Sequence, residues 1–198
     1  MPRWADFFVS AVALVLLSPV MVLVAIVVRA RLGAPVLFRQ RRSGTGGGCF
    51  EMLKFRSMTD ARDSGGELLP DADRLTDLGR FLRRSRLDEV PGLLSIARGD
   101  MALVGPRPLL PETIGAMGVL GQRRGSVRPG LTGWAQVNGN ALLTNDDKLA
   151  LDLWYIDHRS LALDIQIIVR TVQVLVSGER INPRNLEKAV AGSPRRRC

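Results

Sequence analysis

Apolar positions crowd one end of the chain. From Phe7 to Val28 there is no charge, and only Ser10, Ser18 and Pro19 interrupt the apolar pattern. As one helix this run reaches about 33 Å, enough for a hydrocarbon core of roughly 30 Å. A signal peptide carries a shorter apolar core, about 7–15 residues, before a small-residue cleavage site. This run is longer and ends in Arg29 and Arg31, which argues against cleavage. Ser18-Pro19 divides it into Phe7–Leu17 and Val20–Val28. Pro19 has no N–H to give, and its ring meets the Val15 carbonyl four residues back. The Ser18 hydroxyl can satisfy a freed carbonyl locally. Two geometries stay open: a kinked span, or a sharp bend that returns the chain to its side of entry. Arg3 and the amino terminus precede the run, while Arg29, Arg31, Arg39, Arg41 and Arg42 follow it. Positive charge favours the cytoplasm strongly for the downstream side and slightly for the upstream side.

Beyond the run the period of the pattern changes. Pro35–Arg41 and Cys49–Phe55 read as strands around the glycine-rich loop 43–48. Glycines between two strands predict a hairpin; a phosphate cradle would need a following helix. Residues 59–73 are polar and acidic, a surface loop. Leu75, Leu78 and Leu82 share one helical face across Leu75–Arg84. Ser85-x-x-Asp88 fits a capping box, and Pro91 suits only a first helical turn. Ser85 is thus expected to cap a helix running from the Asp88-Glu89 pair to about Ala97. Asp164–Val176 is apolar enough to pack on the core or lie at a bilayer interface. No internal repeat is present. The arginines of the terminal SPRRRC segment suit contact with anionic lipid.

Charge narrows the partner. The chain holds 28 Lys and Arg against 19 Asp and Glu, a formal charge of +9. Such an excess suits nucleic acid, a membrane surface or a phosphorylated substrate. Aromatics make up only 5% of residues, and a single-strand nucleic-acid binder needs stacking rings. Cys49 and Cys198 form no metal spacing and read as reduced thiols. With His158 the lone histidine, a His-based triad or His-rich metal site is disfavoured.

The candidate chemistry lies elsewhere. Asp88 and Glu89 stand side by side below Arg80, Arg83, Arg84 and Arg86. Neighbours on a helix diverge by about 100°, so the two carboxylates serve different partners, and a helix amino terminus favours bound anions. Lys54 and Arg56, two apart at a strand end, share a face. Arg107, held between Pro106 and Pro108, is suited to bidentate contact with phosphate. Each cation taken singly reads more readily as a solvated surface charge.

The order of these segments carries more than any one of them. Leu17-Ser18-Pro19, Phe38-Arg39-Gln40, Lys54-Phe55-Arg56-Ser57-Met58 and Leu87-Asp88-Glu89-Val90-Pro91 come first. Gly99-Asp100-Met101, Leu103-Val104-Gly105-Pro106-Arg107-Pro108, Arg128-Pro129-Gly130-Leu131-Thr132-Gly133, Gln136-Val137-Asn138-Gly139 and Asp152-x-x-Tyr155 follow. From about Asp6 to about Asn185 the chain resembles the monotopic phosphoglycosyl transferases, the bacterial sugar transferase family.

The resemblance implies an α+β fold: a re-entrant membrane helix (1–31) and a small, helix-rich cytosolic catalytic domain (32–188). That domain would carry a short β-hairpin and interfacial amphipathic helices, with a basic tail (189–198) behind it. It further implies transfer of a sugar-1-phosphate from a UDP-sugar to polyprenol phosphate, releasing UMP, at the cytoplasmic face of the bacterial inner membrane. Asp88 would be the nucleophile of a covalent phosphosugar intermediate, with ping-pong kinetics. Glu89 would help hold Mg2+, the implied cofactor, or assist the incoming phosphate. Lys54, Arg56 and Arg107 would neutralise phosphate charge. Gln136, Asp152 and Tyr155 are further substrate-site candidates, and Ser18 and Pro19 would form the membrane turn. Membrane lipid is an expected partner and nucleic acid is not; homo-oligomerisation is left open. Gly92 stands where the family commonly has Gln, and Asn140 where it commonly has Arg, which bears on substrate preference. With no extension before Asp6 the chain is expected to be the minimal catalytic form. The rival reading is a non-catalytic, membrane-anchored basic module, which would be indifferent to Asp88.

Overall fold

The structure, a computed structural model, describes residues 1–192. It is α+β and mostly helical. In order it runs α1 (Arg3–Leu32), β1 (Leu37–Ser43), β2 (Cys49–Phe55), α2 (Asp71–Arg74), α3 (Asp77–Arg84), a 3-10 segment (Leu87–Gly92) and α4 (Leu93–Arg98). Then come β3 (Ala102–Val104), α5 (Pro111–Ala116), α6 (Gly118–Arg124), β4 (Gly130–Thr132), α7 (Trp134–Val137), α8 (Asn145–His158), α9 (Leu161–Ser177) and α10 (Pro183–Gly192). The chain divides into two units. One, the acid-pair unit, comprises Val9–Gln40 and Glu51–Ser95; the other, the C-terminal unit, comprises Met1–Phe8, Arg41–Phe50 and the chain from Ile96 onward.

The acid-pair unit is organised by the second half of α1. Met21, Val24, Ala25, Val28 and Leu32 recur at helical spacing and pack with Phe55, Leu78, Leu82 and Leu87. The remaining faces of α1 stay apolar yet uncovered, with Val15 72% and Leu16 71% exposed. An apolar surface of this extent needs lipid or protein around it. The helix runs through Pro19 without interruption, and the Ser18 hydroxyl donates to the Val15 carbonyl at 2.7 Å. That is the local bond expected beside a proline-freed carbonyl.

β1 and β2 form the expected hairpin. In its tip Gly46 and Gly47 take φ of 64° and 82°, which side-chain-bearing residues rarely adopt. The polar 59–73 segment carries two isolated bridges, Met58 to Leu75 and Arg62 to Leu68, and ends in α2. Thr76 caps α3 by accepting from Gly79 N–H at 3.0 Å. Gly79 lets α3 sit on the Ser57 carbonyl, since an added Cβ would fall 1.8 Å from that oxygen.

Two expectations change here. Ser85 does not cap the following helix: it ends α3 and donates back to the Phe81 carbonyl at 2.8 Å. The next residue, Arg86, turns left-handed (φ 59°, ψ 11°) and starts the 3-10 segment without a side-chain cap. The chain thus bends between α3 and the acid pair, and a hydroxyl pointing backwards cannot serve the helix ahead. The second change is at the carboxyl end. Residues 189–192, expected as part of the tail, complete α10, with Ala189 in the core. The rest of that tail, 193–198, lies outside the described residues.

The C-terminal unit is a helical cluster around Trp134, Leu151, Tyr155, Leu163 and Ile167. A reciprocal Thr144–Asp147 capping box starts α8, and Ser160 caps α9. A second two-stranded sheet, absent from the sequence reading, pairs β3 with β4 in parallel, Ala102 opposite Gly130 and Val104 opposite Thr132. Gly105 and Gly130 make that approach feasible: a Cβ on Gly130 would lie 2.1 Å from Gly105 N. The first residues of α1 belong to this unit too. Asp6 is fully buried, accepting from Leu103 N–H at 3.1 Å and from Arg128 Nη2 at 2.7 Å. Met1 pairs through its amino group with Asp164, which also accepts the Tyr155 hydroxyl at 2.7 Å.

Candidate active site

The left-handed turn at Arg86 delivers Asp88 and Glu89 into the first turn of the 3-10 segment, both buried. Glu89 Oε1 accepts from Lys54 Nζ, on β2, at 2.7 Å, and Arg86 Nη1 lies 4.0 Å from Glu89 Oε2. Arg83, from the last turn of α3, is held by donating Nε to Ser57 Oγ at 3.0 Å. Asp88 is different: its Oδ1 is buried and has no hydrogen-bond partner among the described residues. Burial raises the Asp88 pKa above the usual carboxylate range, and the Glu89 charge adds to that; Lys54, Arg83 and Arg86 oppose it. The two neighbours therefore differ in what they meet. Glu89 is engaged by cations, while Asp88 presents a desolvated carboxylate oxygen.

Lys54 and Arg56, expected on one face, do different things. Arg56 follows β2 and donates to the carbonyls of Met58 (3.1 Å) and Ala34 (3.0 Å) and to Asp60 Oδ2 (2.5 Å). It ties the chain after the strand, whereas Lys54 meets the acid pair.

Among the described residues no group of three or more His, Cys, Asp or Glu is gathered as a metal cage. The acid pair does fit Mg2+. That ion is usually held by one or two carboxylates with substrate phosphates and water, and the unpartnered Asp88 Oδ1 is a hard donor of this kind.

The other candidates lie in the C-terminal unit. Asp152 forms a buried ion pair with Arg124, Nε to Oδ2 at 2.8 Å, and Arg124 Nη2 donates to the Arg107 carbonyl at 2.6 Å. This pair holds the backbone of the Pro106-Arg107-Pro108 turn. Arg124 was not singled out from sequence; it stands 28 residues from Asp152 with no local pattern linking the two. Burial raises the Asp152 pKa, opposed by Arg124. Burial, then the bond to Asp164, pushes the Tyr155 phenol well above its usual value, so it acts as a donor. Gln136 Nε2 donates to the Leu131 carbonyl at 3.2 Å, and its buried Oε1 has no partner among the described residues. Asn140, at φ 43°, donates to Glu179.

An apolar anchor and a buried acid pair set among cations fit a membrane-associated transferase. The chain belongs to the bacterial sugar transferase family, whose model matches residues 1–178. It is 45% identical to the "Uncharacterized sugar transferase EpsL" of Bacillus subtilis (strain 168), over 89% of this chain and 88% of that one. It is 37% identical to the "UDP-glucose:undecaprenyl-phosphate glucose-1-phosphate transferase" of Caulobacter vibrioides, over 88% of this chain and 69% of the relative. The "UDP-N-acetylgalactosamine-undecaprenyl-phosphate N-acetylgalactosaminephosphotransferase" of Aeromonas hydrophila is 34% identical over 89% of this chain, which spans only 44% of that relative.

Proposed function

We propose that the chain moves a sugar-1-phosphate from a UDP-sugar to polyprenol phosphate, releasing UMP, with Asp88 as nucleophile. The observation that carries this is the buried, unpartnered Oδ1 of Asp88 in a turn surrounded by Lys54, Arg83 and Arg86. In the first step an Asp88 carboxylate oxygen attacks the sugar-side phosphorus. The bond from that phosphorus to the bridging oxygen breaks, and UMP leaves with the electron pair. In the second, an oxygen of polyprenol phosphate attacks the same phosphorus; the acyl-phosphate bond breaks and the carboxylate is regenerated. Lys54 holds Glu89 in place and offsets the charge that builds on the transferred group. Asp88 and Glu89 would hold Mg2+ together with diphosphate oxygens; when bound it supplies charge neutralisation. Arg107 remains a proposed phosphate contact on the strength of its motif. Relatives are named for glucose and for N-acetylgalactosamine, so the sugar itself is a matter for assay.

The same reading puts the chain at the cytoplasmic face of the membrane with α1 re-entrant and the downstream chain as its catalytic domain. Support comes from both ends of α1. Its first turn is bonded to Leu103 and Arg128, and its last turns pack on Phe55 and Leu82. Among the described residues no second helix is long and apolar enough to cross a bilayer. These contacts support a re-entrant path for α1.

The test is UMP release by the full chain with UDP-sugars, polyprenol phosphate and Mg2+. Asp88→Asn is expected to abolish release while membrane association persists. Unchanged turnover in that variant would return the reading to a non-catalytic basic module. Reporters at both ends of α1 should label from the cytoplasmic side, and a periplasmic amino terminus would show a true span.

A further inference from the structure

A second cationic feature lies in the C-terminal unit, outside the residues assigned to catalysis. Where α9 ends and α10 begins, a cleft of about 660 Å³ is lined by Arg170, Gln173, Ser177, Arg180, Asn182 and Arg184, with apolar side chains between them. Arg170 is fixed: Nη1 donates to Asn138 Oδ1 at 3.3 Å, and the guanidinium lies 5.2 Å over the Trp134 ring. Arg180 and Arg184 are exposed and make no ion pair or hydrogen bond among the described residues. Among the described residues no carboxylate lines the cleft. Glu179, in the same loop, is directed to Asn140 Nδ2 and Ala141 N–H. The amino end of α10, at Pro183, adds its positive dipole.

The surroundings say which anion fits. Leu161, Ile165, Val169, Val172 and Val176 form an unbroken stripe along α9, each more than half exposed, and Leu175 extends it beside the cleft. A water-soluble phosphate gains nothing from such a stripe, whereas a lipid uses both the cations and the apolar rim. A nucleotide would also want an aromatic face. The nearest ring, Trp134, is already stacked on Trp154 and covered by Arg170.

We propose that this cleft is a binding site for the phosphate headgroup of an anionic phospholipid, with Arg170 as fixed floor and Arg180 and Arg184 as clamps. It is separate from the transfer chemistry and does not require Asp88. The experiment is native mass spectrometry of the full chain in detergent. Phosphatidylglycerol and phosphatidylcholine are titrated in separate arms, and UDP in competition with bound phosphatidylglycerol, against wild type, Arg180→Ala/Arg184→Ala, Arg180→Lys/Arg184→Lys and Asp88→Asn. Wild type is expected to prefer phosphatidylglycerol over phosphatidylcholine. The double alanine variant should bind phosphatidylglycerol roughly 30-fold more weakly, at about five-fold per arginine. The double lysine variant should recover most of that affinity, and Asp88→Asn should match wild type. Equal affinity for the two lipids in wild type overturns the proposal. So does a phosphatidylglycerol preference that survives the double alanine change, or displacement of the lipid by UDP, which would make this a soluble-phosphate site. Loss of transfer activity in Asp88→Asn with lipid preference intact separates this site from the catalytic one.

Discussion

Asp88→Asn should do more than stop turnover: it should stabilise the fold. Burial, then the Glu89 charge, raise the Asp88 pKa above the ordinary carboxylate value of 3.8, against the pull of Lys54, Arg83 and Arg86. The folded chain therefore holds this proton more tightly than the unfolded chain. Stability falls as pH rises from 3.8 through the folded pKa, and near neutral pH the ionised Asp88 is a net cost. The amide keeps the shape and drops the charge. A buried polar atom without a partner, as Oδ1 is, costs about 1–3 kcal/mol. The amide retains part of that penalty, so the expected gain is about 1–2 kcal/mol. For a chain of this length that raises the melting temperature by about 2–8 °C. Thermal unfolding in detergent, followed by tryptophan fluorescence, measures it near neutral pH and again near the unfolded pKa. The gain should shrink at the acid end, where wild type takes up its own proton. A lower melting temperature for the amide near neutral pH, or a gain indifferent to pH, would refute the reasoning. Either result would mean that the cations around Asp88 more than offset its burial.

Three further outcomes are expected. Lys54→Met removes a charge that lowers the Asp88 pKa, so the acid limb of the kcat/KM profile should move to higher pH; an unmoved limb would separate Lys54 from Asp88. Arg124→Met leaves Asp152 buried without its partner and should cost about 3–5 kcal/mol by denaturant unfolding, most of it regained in Arg124→Met/Asp152→Leu. Gly79→Ala drives a Cβ to 1.8 Å from the Ser57 carbonyl, so α3 must shift. The loss should be about 1–3 kcal/mol, accompanied by lower activity because Arg83 is held through Ser57. Full activity in a stable Gly79→Ala chain would show that α3 need not sit where it does.

What could be read from the residues follows from how local each signal is. The apolar run, the hairpin around SGTGGG, and the periodic faces of α3 and α9 rest on contacts within a few residues, and each element stands close to its expected bounds. The acid pair was visible because carboxylates amid arginines are unusual. Ser85 misled because a serine hydroxyl can either accept from the helix ahead or donate to a carbonyl four residues behind. Only the left-handed backbone at Arg86 reveals that the hydroxyl belongs to the helix behind. The strands β3 and β4 are three residues each, shorter than any alternation that can be counted, and their pairing depends on glycines that permit close backbone contact. Arg56 and Lys54 share a motif yet part company, because the chain leaves the strand between them and Arg56 closes bonds onto the following turn. The Arg124–Asp152 pair, joined only through space, left no trace along the chain.

The way α1 is tied down bears on how such a protein can be handled and how it can change over time. A membrane anchor is often a detachable part, cut away to release a soluble enzyme. Here the anchor supplies a buried carboxylate to Arg128 and Leu103 at one end, and the Val24 and Val28 side chains to the core at the other. Cutting it off would uncover Phe55 and Leu82 and remove the buried acceptor of an arginine in the same stroke. Membrane attachment and folding are therefore one property in this chain, so a soluble version would have to be redesigned at both places and could not be made by trimming.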